Sequence, residues 1–370
     1  MIYKNTDMYT LLDITMEKTL ICFGAGQQLQ NACELFSDVQ FFDRIDFIAD
    51  NNREKHSFGF SGAEKPVHSI EECIRCAIKE PVILITISDC FDIIDQLDKI
   101  PVLNKCKCFV YSFVRELVHH YSLPINRAKT EPLKIPRRIH YCWFGGTSIP
   151  DEFKMYIDTW GKLCPDYEII RWDESNYDYK KNEYMYEAYR QKKWGFVPDF
   201  ARLDIIYRYG GIYLDTDVEL IRNIDDLLCD DAFCGFESRR FVANGLGFGA
   251  VAGFPLMQQQ MEIYNSLSFI NKDGSLNLKA APQYQTEFFC SLGLSQNGTL
   301  QNIHGMTIYP QDVLAPLNAG SGIYNLTENT YSIHHYSATW QDDMFHQNRN
   351  RRVWEFQTLS EKINFEEGLA

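Results

Sequence analysis

Two aspartates one residue apart, Asp215-Thr216-Asp217, follow the apolar run GIYL at residues 211–214 of this 370-residue chain. On an extended backbone, residues two apart share a face, so both carboxylates can point at one cation. Hard divalent ions such as Mn²⁺ or Mg²⁺ take oxygen ligands and commonly share them with substrate phosphates. The pair is therefore a candidate clamp for a metal–diphosphate, although an isolated DxD also suits a solvated loop or a helix start. A second charged pair lies just upstream. In DFARLDIIYRY, residues 199–209, Phe200, Leu203, Ile206 and Tyr207 form one helical stripe. Asp199 and Arg202 are three apart and share a helix face. Asp199 reads as the N-cap and Gly210-Gly211 as the stop, and the glycines return the chain so that the helix end and the DxD can line one pocket. Simple capping by Asp199 and an exposed ion pair for Arg202 are the plainer alternatives.

The elements that must position these residues are periodic. Residues 139–144 (IHYCWF) read as a strand ended by Gly145-Gly146, residues 153–164 as an amphipathic helix, and residues 167–172 (YEIIRW) as a second strand. Residues 1–125 alternate strands such as TLICF and PVILITIS with helical segments, which implies βαβ units and a parallel sheet. Between the halves, YSLPINRAKTEPLKIP carries three prolines, and residues 126–136 read as a linker. The expected organisation is α/β throughout: a Rossmann-like domain over 1–125, the linker, a second domain over 137–340, and a helical tail over 341–370. The first half has a glycine turn with Gly24 and Gly26, but Leu29 stands where a dinucleotide fingerprint has its third glycine. Asp50 lies at about the distance of a ribose-binding acid. Either the turn binds a dinucleotide for sugar redox chemistry, or the fold is Rossmann-like with an empty or altered ligand site.

Composition sets outer bounds. Lys+Arg 36 against Asp+Glu 50 gives a net charge of −14, which argues against wrapping nucleic acid and requires a local device for binding phosphates. The start of the chain lacks the basic and apolar regions of a signal peptide, and no run of 18 apolar residues exists. Twelve cysteines without a framework suit a reducing cytosol; Cys73/Cys76 and Cys106/Cys108 could read as metal or redox pairs only weakly. Cytoplasmic residence is the expectation, with acceptor contact at the inner membrane face. Arg349, Arg351 and Arg352 near Trp354 form a basic–aromatic cluster that suits peripheral membrane contact or a solvated helix face.

Residues 194–220, WGFVPDFARLDIIYRYGGIYLDTDVEL, resemble the DxD core of the family 32 glycosyltransferases, a group that includes bacterial capsular-polysaccharide enzymes. IPRRIHYCWFGG at 135–146, CPDYEIIRWDESNYD at 164–178 and SIHHYSATW at 332–340 extend the resemblance over about residues 135–340. It implies a GT-A type nucleotide-sugar-binding domain and a metal-dependent, retaining hexosyltransferase that uses Mn²⁺ or Mg²⁺. Its donor would be a nucleotide-diphosphate sugar, a UDP-sugar in the first instance, and its acceptor a glycan, lipid-linked in some relatives. By the same resemblance Trp143 stacks on the nucleobase, Asp199 and Arg202 hold the donor sugar, and Asp215 and Asp217 are DxD ligands. His335 is the implied third metal ligand and Trp340 the group touching the diphosphate. His334, on the opposite face of an alternating strand, is passed over. Asn244 is a candidate acceptor contact. Pro198 and the stretch 280–282 (AAP) depart from the family pattern. A non-catalytic nucleotide-sugar-binding protein and an NAD(P)-linked oxidoreductase are the rival functions.

Overall fold

The structure is a computed structural model that describes residues 1–60, 65–87, 90–115, 123–124, 126–238, 240–319, 321–337 and 343–362. The chain divides into two compact units, Met1–Tyr121 with Asn350–Ala370, and Ser122–Arg349. Both are α/β.

The first unit contains six parallel strands, in the order Ile2–Tyr3, Lys107–Val110, Pro81–Ile85, Thr19–Phe23, Phe47–Ala49, Val67–His68. Thr19–Phe23 is buried at every position, as expected for a strand covered on both faces. Gly24 follows it at φ +117, where a Cβ would lie 2.4 Å from Ile87 Cγ1 and 2.9 Å from the Thr86 carbonyl. This glycine serves close packing against the neighbouring strand end. Leu29 is fully buried in the core. Asp50 Oδ2 accepts from the Ala25 N–H and from Lys55 Nζ, both at 2.8 Å, while Oδ1 accepts from the Asn52 N–H at 2.8 Å. The acid that would meet a ribose is committed to the protein's own turn. Cys73 lies buried on the helix Ile70–Cys76, and burial pushes its thiol up to about 12, far from a metal-binding thiolate.

The second unit has an eight-stranded mixed sheet. Its main order is Gln301–Ile303, Met306–Tyr309, Ala232–Phe236, Phe248–Ala250, Gly211–Tyr213, Arg138–Cys142, Glu168–Trp172, with Val242–Ala243 paired to Ala232–Phe236. Glu168–Trp172, Arg138–Cys142 and Gly211–Tyr213 run parallel, and Phe248–Ala250 runs antiparallel to the last of them. A separate antiparallel pair joins Val218–Leu220 to Ser332–His334. Residues 126–136 do not form a free linker. Asn126 N–H donates to Asp226 at 2.8 Å, Arg127 pairs with Asp230 at 3.1 Å, and the N–H groups of Lys134 and Ile135 both donate to the Leu228 carbonyl. The prolines restrict the local backbone, but burial of Ile135 and these bonds seat the segment on the second unit.

His140 braces the turn that delivers the DxD. Trp172 Nε1–H donates to its Nδ1 at 3.1 Å, so its Nε2–H is left to donate to the Gly210 carbonyl at 3.0 Å. Gly210 and Gly211 have φ of +61 and +106, and a Cβ on Gly211 would lie 2.8 Å from the Arg138 carbonyl. Gly211→Ala should therefore destabilise the protein by about 2 kcal/mol or more in urea unfolding; an unchanged midpoint would refute the packing argument. Burial pushes the His140 pKa down to about 4, below the ordinary value of about 6.5. The folded state keeps His140 neutral while the unfolded state binds a proton, so stability is full above pH ~6.5 and falls as pH drops toward 4. The loss from this one group should approach ~3 kcal/mol. His140→Gln should flatten that part of the pH–stability curve relative to wild type.

Candidate active site

Strand Arg138–Cys142 and strand Gly211–Tyr213 are parallel neighbours, with Ile139 opposite Ile212 and His140 opposite Tyr213. Their C-terminal ends therefore open on one sheet edge, and Trp143 and Asp215 emerge there. Ligands of open α/β sheets collect at such edges.

The helix preceding the DxD, Pro198–Tyr209, is buried at every position from Asp199 to Ile206. Val197 is its cap residue and Pro198 its first turn, a position that needs no N–H donor. Asp199 is thus inside the helix and not its N-cap, and its carboxylate turns to Arg202 instead. Arg202 NH2 meets Asp199 Oδ1 at 3.1 Å, NH1 meets Asp215 Oδ2 at 3.5 Å, and Nε donates to the Pro198 carbonyl at 3.2 Å. The guanidinium also lies over the Tyr213 ring at 5.1 Å. Burial pushes the Asp199 pKa up to about 7, Arg202 opposing and Asp215 adding to the rise.

The DxD is a turn, not an extended strand. Strand Gly211–Tyr213 ends before it, Val218 N–H donates back to the Asp215 carbonyl at 3.1 Å, and a new strand begins at Val218. Asp215 N–H donates to the Gly245 carbonyl at 3.2 Å. Gly245 packs so tightly here that a Cβ would sit 2.4 Å from Asp215 Oδ2 and 3.3 Å from Arg202 NH1.

His334, not His335, joins the carboxylates. Asp215, Asp217 and His334 each place a ligand atom within 4.8 Å of the others. Two bonds orient Asp217: His334 Nε2 lies 3.2 Å from its Oδ1, and the Ser337 N–H donates to its Oδ2 at 2.8 Å. The expected ligand, His335, instead places Nε2 2.9 Å from Glu219 Oε2 and stacks on Tyr156 at 4.2 Å. Alternation does send the two histidines to opposite faces. Asp217 belongs to the turn ahead of the strand Val218–Leu220, where strand alternation no longer applies, and that turn brings its carboxylate to His334.

Burial alone would raise Asp217, but the His334 imidazole and the Ser337 N–H hold it well below the usual carboxylate range. Burial would lower His334, yet Asp217, Asp215 and Glu237 raise it. Asp215 is raised by burial and Asp217, with Arg202 opposing. Glu237 went unnoticed in the sequence; burial pushes its carboxyl up to about 7, and it faces the charge of His334. No motif flags it. The donor set of two carboxylates and an imidazole fits Mn²⁺ or a similar ion. His334 Nδ1 is moreover buried with no hydrogen-bond partner among the described residues.

The other expected residues are placed as follows. Trp143 is half-buried; its Nε1–H donates to the Thr147 carbonyl at 2.8 Å and its ring meets Phe153 edge-on at 6.0 Å. Asn244 does not face an open acceptor side: it is 1 % exposed, and Gln285 and Gln260 bond its N–H and Nδ2. Its neighbour Gly245 places it on the Arg202–Asp215 side. Trp340 lies outside the described residues. Arg349 donates to the carbonyls of Ala319 and Tyr336, which takes it out of the basic–aromatic cluster, whereas Trp354 is exposed.

Residues 150–234, which carry the buried Arg202 and both DxD aspartates, match the family described as glycosyltransferase sugar-binding region containing DXD motif. Over 133 residues the chain is 33% identical to inositol phosphoceramide mannosyltransferase 3 of Schizosaccharomyces pombe, covering 34% of this chain and 36% of that protein. It is 35% identical over 152 residues to a human alpha-1,4-N-acetylglucosaminyltransferase, covering 40% of each. The chain thus spans between about a third and two fifths of the length of these relatives. Their fungal and human sources give no particular support to a bacterial capsular type. A solved structure titled PaToxG glycosyltransferase aligns with TM-score 0.35 and 19% identity, covering 44% of this chain and 72% of its own.

His334→Ala should weaken Mn²⁺ binding at least tenfold, about 1.4 kcal/mol, while His335→Ala leaves it within twofold, as read by manganese electron paramagnetic resonance titration. The opposite ranking would restore His335 as the ligand.

Proposed function

We propose that the second unit is a GT-A type, metal-dependent, retaining glycosyltransferase domain that moves a hexose from a nucleotide-diphosphate sugar to a glycan hydroxyl. One observation carries the reading: in a stretch matching a DXD sugar-binding region, a buried Asp199–Arg202–Asp215 chain abuts the Asp215–Asp217–His334 cluster. A divalent ion held by Asp215, Asp217 and His334 would neutralise charge developing on the leaving diphosphate.

The chain's own residues do the rest. Arg202 is fixed by three partners, so its guanidinium is a preorganised cation at the sugar and diphosphate end and needs little reorganisation as charge develops. Trp143 offers a ring at the sheet edge for the nucleobase. Asp199, Asp215 and Asp217 are each engaged with Arg202, His334 or the Ser337 N–H, which favours same-face attack over a covalent intermediate on one of them. In that route the leaving phosphate oxygen accepts the acceptor's proton.

In this reading the acceptor is a growing glycan, lipid-linked and met at the inner membrane face in the capsular version, with cytosolic nucleotide sugar as donor. Among the described residues no helix is long and apolar enough to cross a membrane. The reading gives the first unit no redox role, which the commitment of Asp50 to its own turn and the burial of Leu29 support. Saturable NAD(P)H binding or oxidation of a sugar would revive the oxidoreductase alternative.

The test is nucleotide release by purified full-length protein with Mn²⁺ and a panel of UDP- and GDP-sugars, with and without glycan acceptors. Asp217→Ala should lower turnover about 10²–10³-fold while circular dichroism shows an intact fold. Near-normal turnover by a folded Asp217→Ala protein would overturn the metal assignment, and no turnover of any donor by wild type would favour a non-catalytic binding protein.

A further inference from the structure

The candidate metal ligands Asp217 and His334 are tied together by a short segment of unusual backbone. Strand Ser332–His334 ends at the histidine, and residues 335–337 then pass along Asp217. His335 N–H donates to the Asp217 carbonyl at 2.9 Å, and Ser337 N–H donates to Asp217 Oδ2 at 2.8 Å. Between them Tyr336 has φ +51. Glycine adopts this left-handed conformation freely. For a bulky side chain it is strained, and it persists where surrounding contacts enforce it.

Arg349 makes those contacts. It is a partly buried residue of the helix Asp343–Lys362, and it belongs to the same compact unit as the segment it holds. Its NH1 donates to the Tyr336 carbonyl, its NH2 to the His335 carbonyl at 3.4 Å, and its Nε to the Ala319 carbonyl at 3.1 Å. One planar fork thus gathers two successive carbonyls past the end of the strand, a geometry that lysine cannot copy. The Tyr336 side chain adds two further contacts. Its ring meets the His334 ring edge-on at 4.2 Å, and its hydroxyl donates to the Glu237 carbonyl at 3.4 Å.

A single peptide group links the arginine to the carboxylate. The Tyr336 carbonyl, which accepts from Arg349, and the Ser337 N–H, which donates to Asp217, belong to the same planar unit. In a trans peptide the C=O and N–H point in opposite directions, so fixing the oxygen also aims the hydrogen. A charged donor on the oxygen polarises the group and strengthens its N–H as a donor. The contacts continue from Asp217 Oδ1 to His334 Nε2 at 3.2 Å.

We propose that Arg349 is a positioning residue of the metal site: through the peptide between Tyr336 and Ser337 it orients the Asp217 carboxylate for a divalent cation. This rests on the metal reading given above for Asp215, Asp217 and His334. Arg349 acts through Asp217 and is not itself a ligand, since a guanidinium has no lone pair to offer a cation.

Manganese electron paramagnetic resonance titration of the full chain tests this, with Mn²⁺ alone as the probe. Arg349→Ala should weaken Mn²⁺ binding about tenfold, as loss of a partner behind a metal ligand does. Arg351→Ala, which removes an exposed charge from the same helix, should leave binding within about twofold. Arg349→Lys keeps the charge and the aliphatic stem for folding but loses the fork, and should still weaken binding about threefold or more. In the Asp217→Ala background, Arg349→Ala should change the remaining affinity by less than about twofold, because its effect passes through that carboxylate. An arginine with a structural role alone would lower the melting temperature and leave the Mn²⁺ affinity of the folded protein unchanged. That outcome in Arg349→Ala and Arg349→Lys would overturn the proposal while the metal reading stood. Equal losses with and without Asp217 would overturn it too. Absence of Mn²⁺ binding by wild type would overturn both.

Discussion

A guanidinium taken out of water has to be met on several sides, and Arg202 sets that requirement for the whole second unit. It is 5 % exposed, and its partners come from separate pieces of chain: Asp199 and the Pro198 carbonyl on its own helix, and Asp215 beyond the glycine turn. Removing one partner of such a buried pair leaves a charge uncompensated, typically at about 3–5 kcal/mol. The helix, the reversal at Gly210-Gly211 and the position of the DxD are therefore bound together by one side chain. The absence of a side chain at Gly245 belongs to the same constraint, since any Cβ there would displace Asp215.

This arrangement divides the carboxylates by task. Asp199 and Asp215 balance the arginine, and burial raises both of their pKa values. Asp217 has left that group. The His334 imidazole and a backbone N–H keep it ionised well below the usual range, which suits the main ligand of a cation. Asp217, Asp215 and Glu237 raise the His334 pKa against the effect of its burial. Guanidinium and imidazole both meet the negative charge of the carboxylates at the sheet edge.

The first unit shows what a similar glycine turn does when it serves packing. Gly24 adopts a positive φ because Ile87 and the Thr86 carbonyl leave no room for a Cβ, and the acid that could have met a ribose holds Ala25, Asn52 and Lys55 instead. Parallel strands, a tight turn and an acid at the neighbouring strand end are all present. Asp50 is turned to the protein's own turn, and architecture alone assigns no redox chemistry.

Local chemistry was legible in the sequence. The period of 3.6 in residues 199–209 marked the helix, paired glycines marked its end, and apolar runs marked the strands that carry Trp143 and Asp215 to the same edge. Asp199, Arg202, Asp215 and Asp217 stood out because short spacing alone brings them together. What failed to be legible depends on contacts between distant segments. The spacing suits Asp199 to an N-cap, but the buried arginine three residues later takes its carboxylate. The prolines suit the stretch to a linker, but Leu228 and Asp226 bind it. His334 and His335 have equal chemistry and adjacent positions, and the turn that carries Asp217 ahead of Val218–Leu220 chooses between them. Periodicity reports which face a residue occupies within its own element. Which partner that face meets is decided by long-range packing, where a shift of one residue in a strand exchanges its two faces.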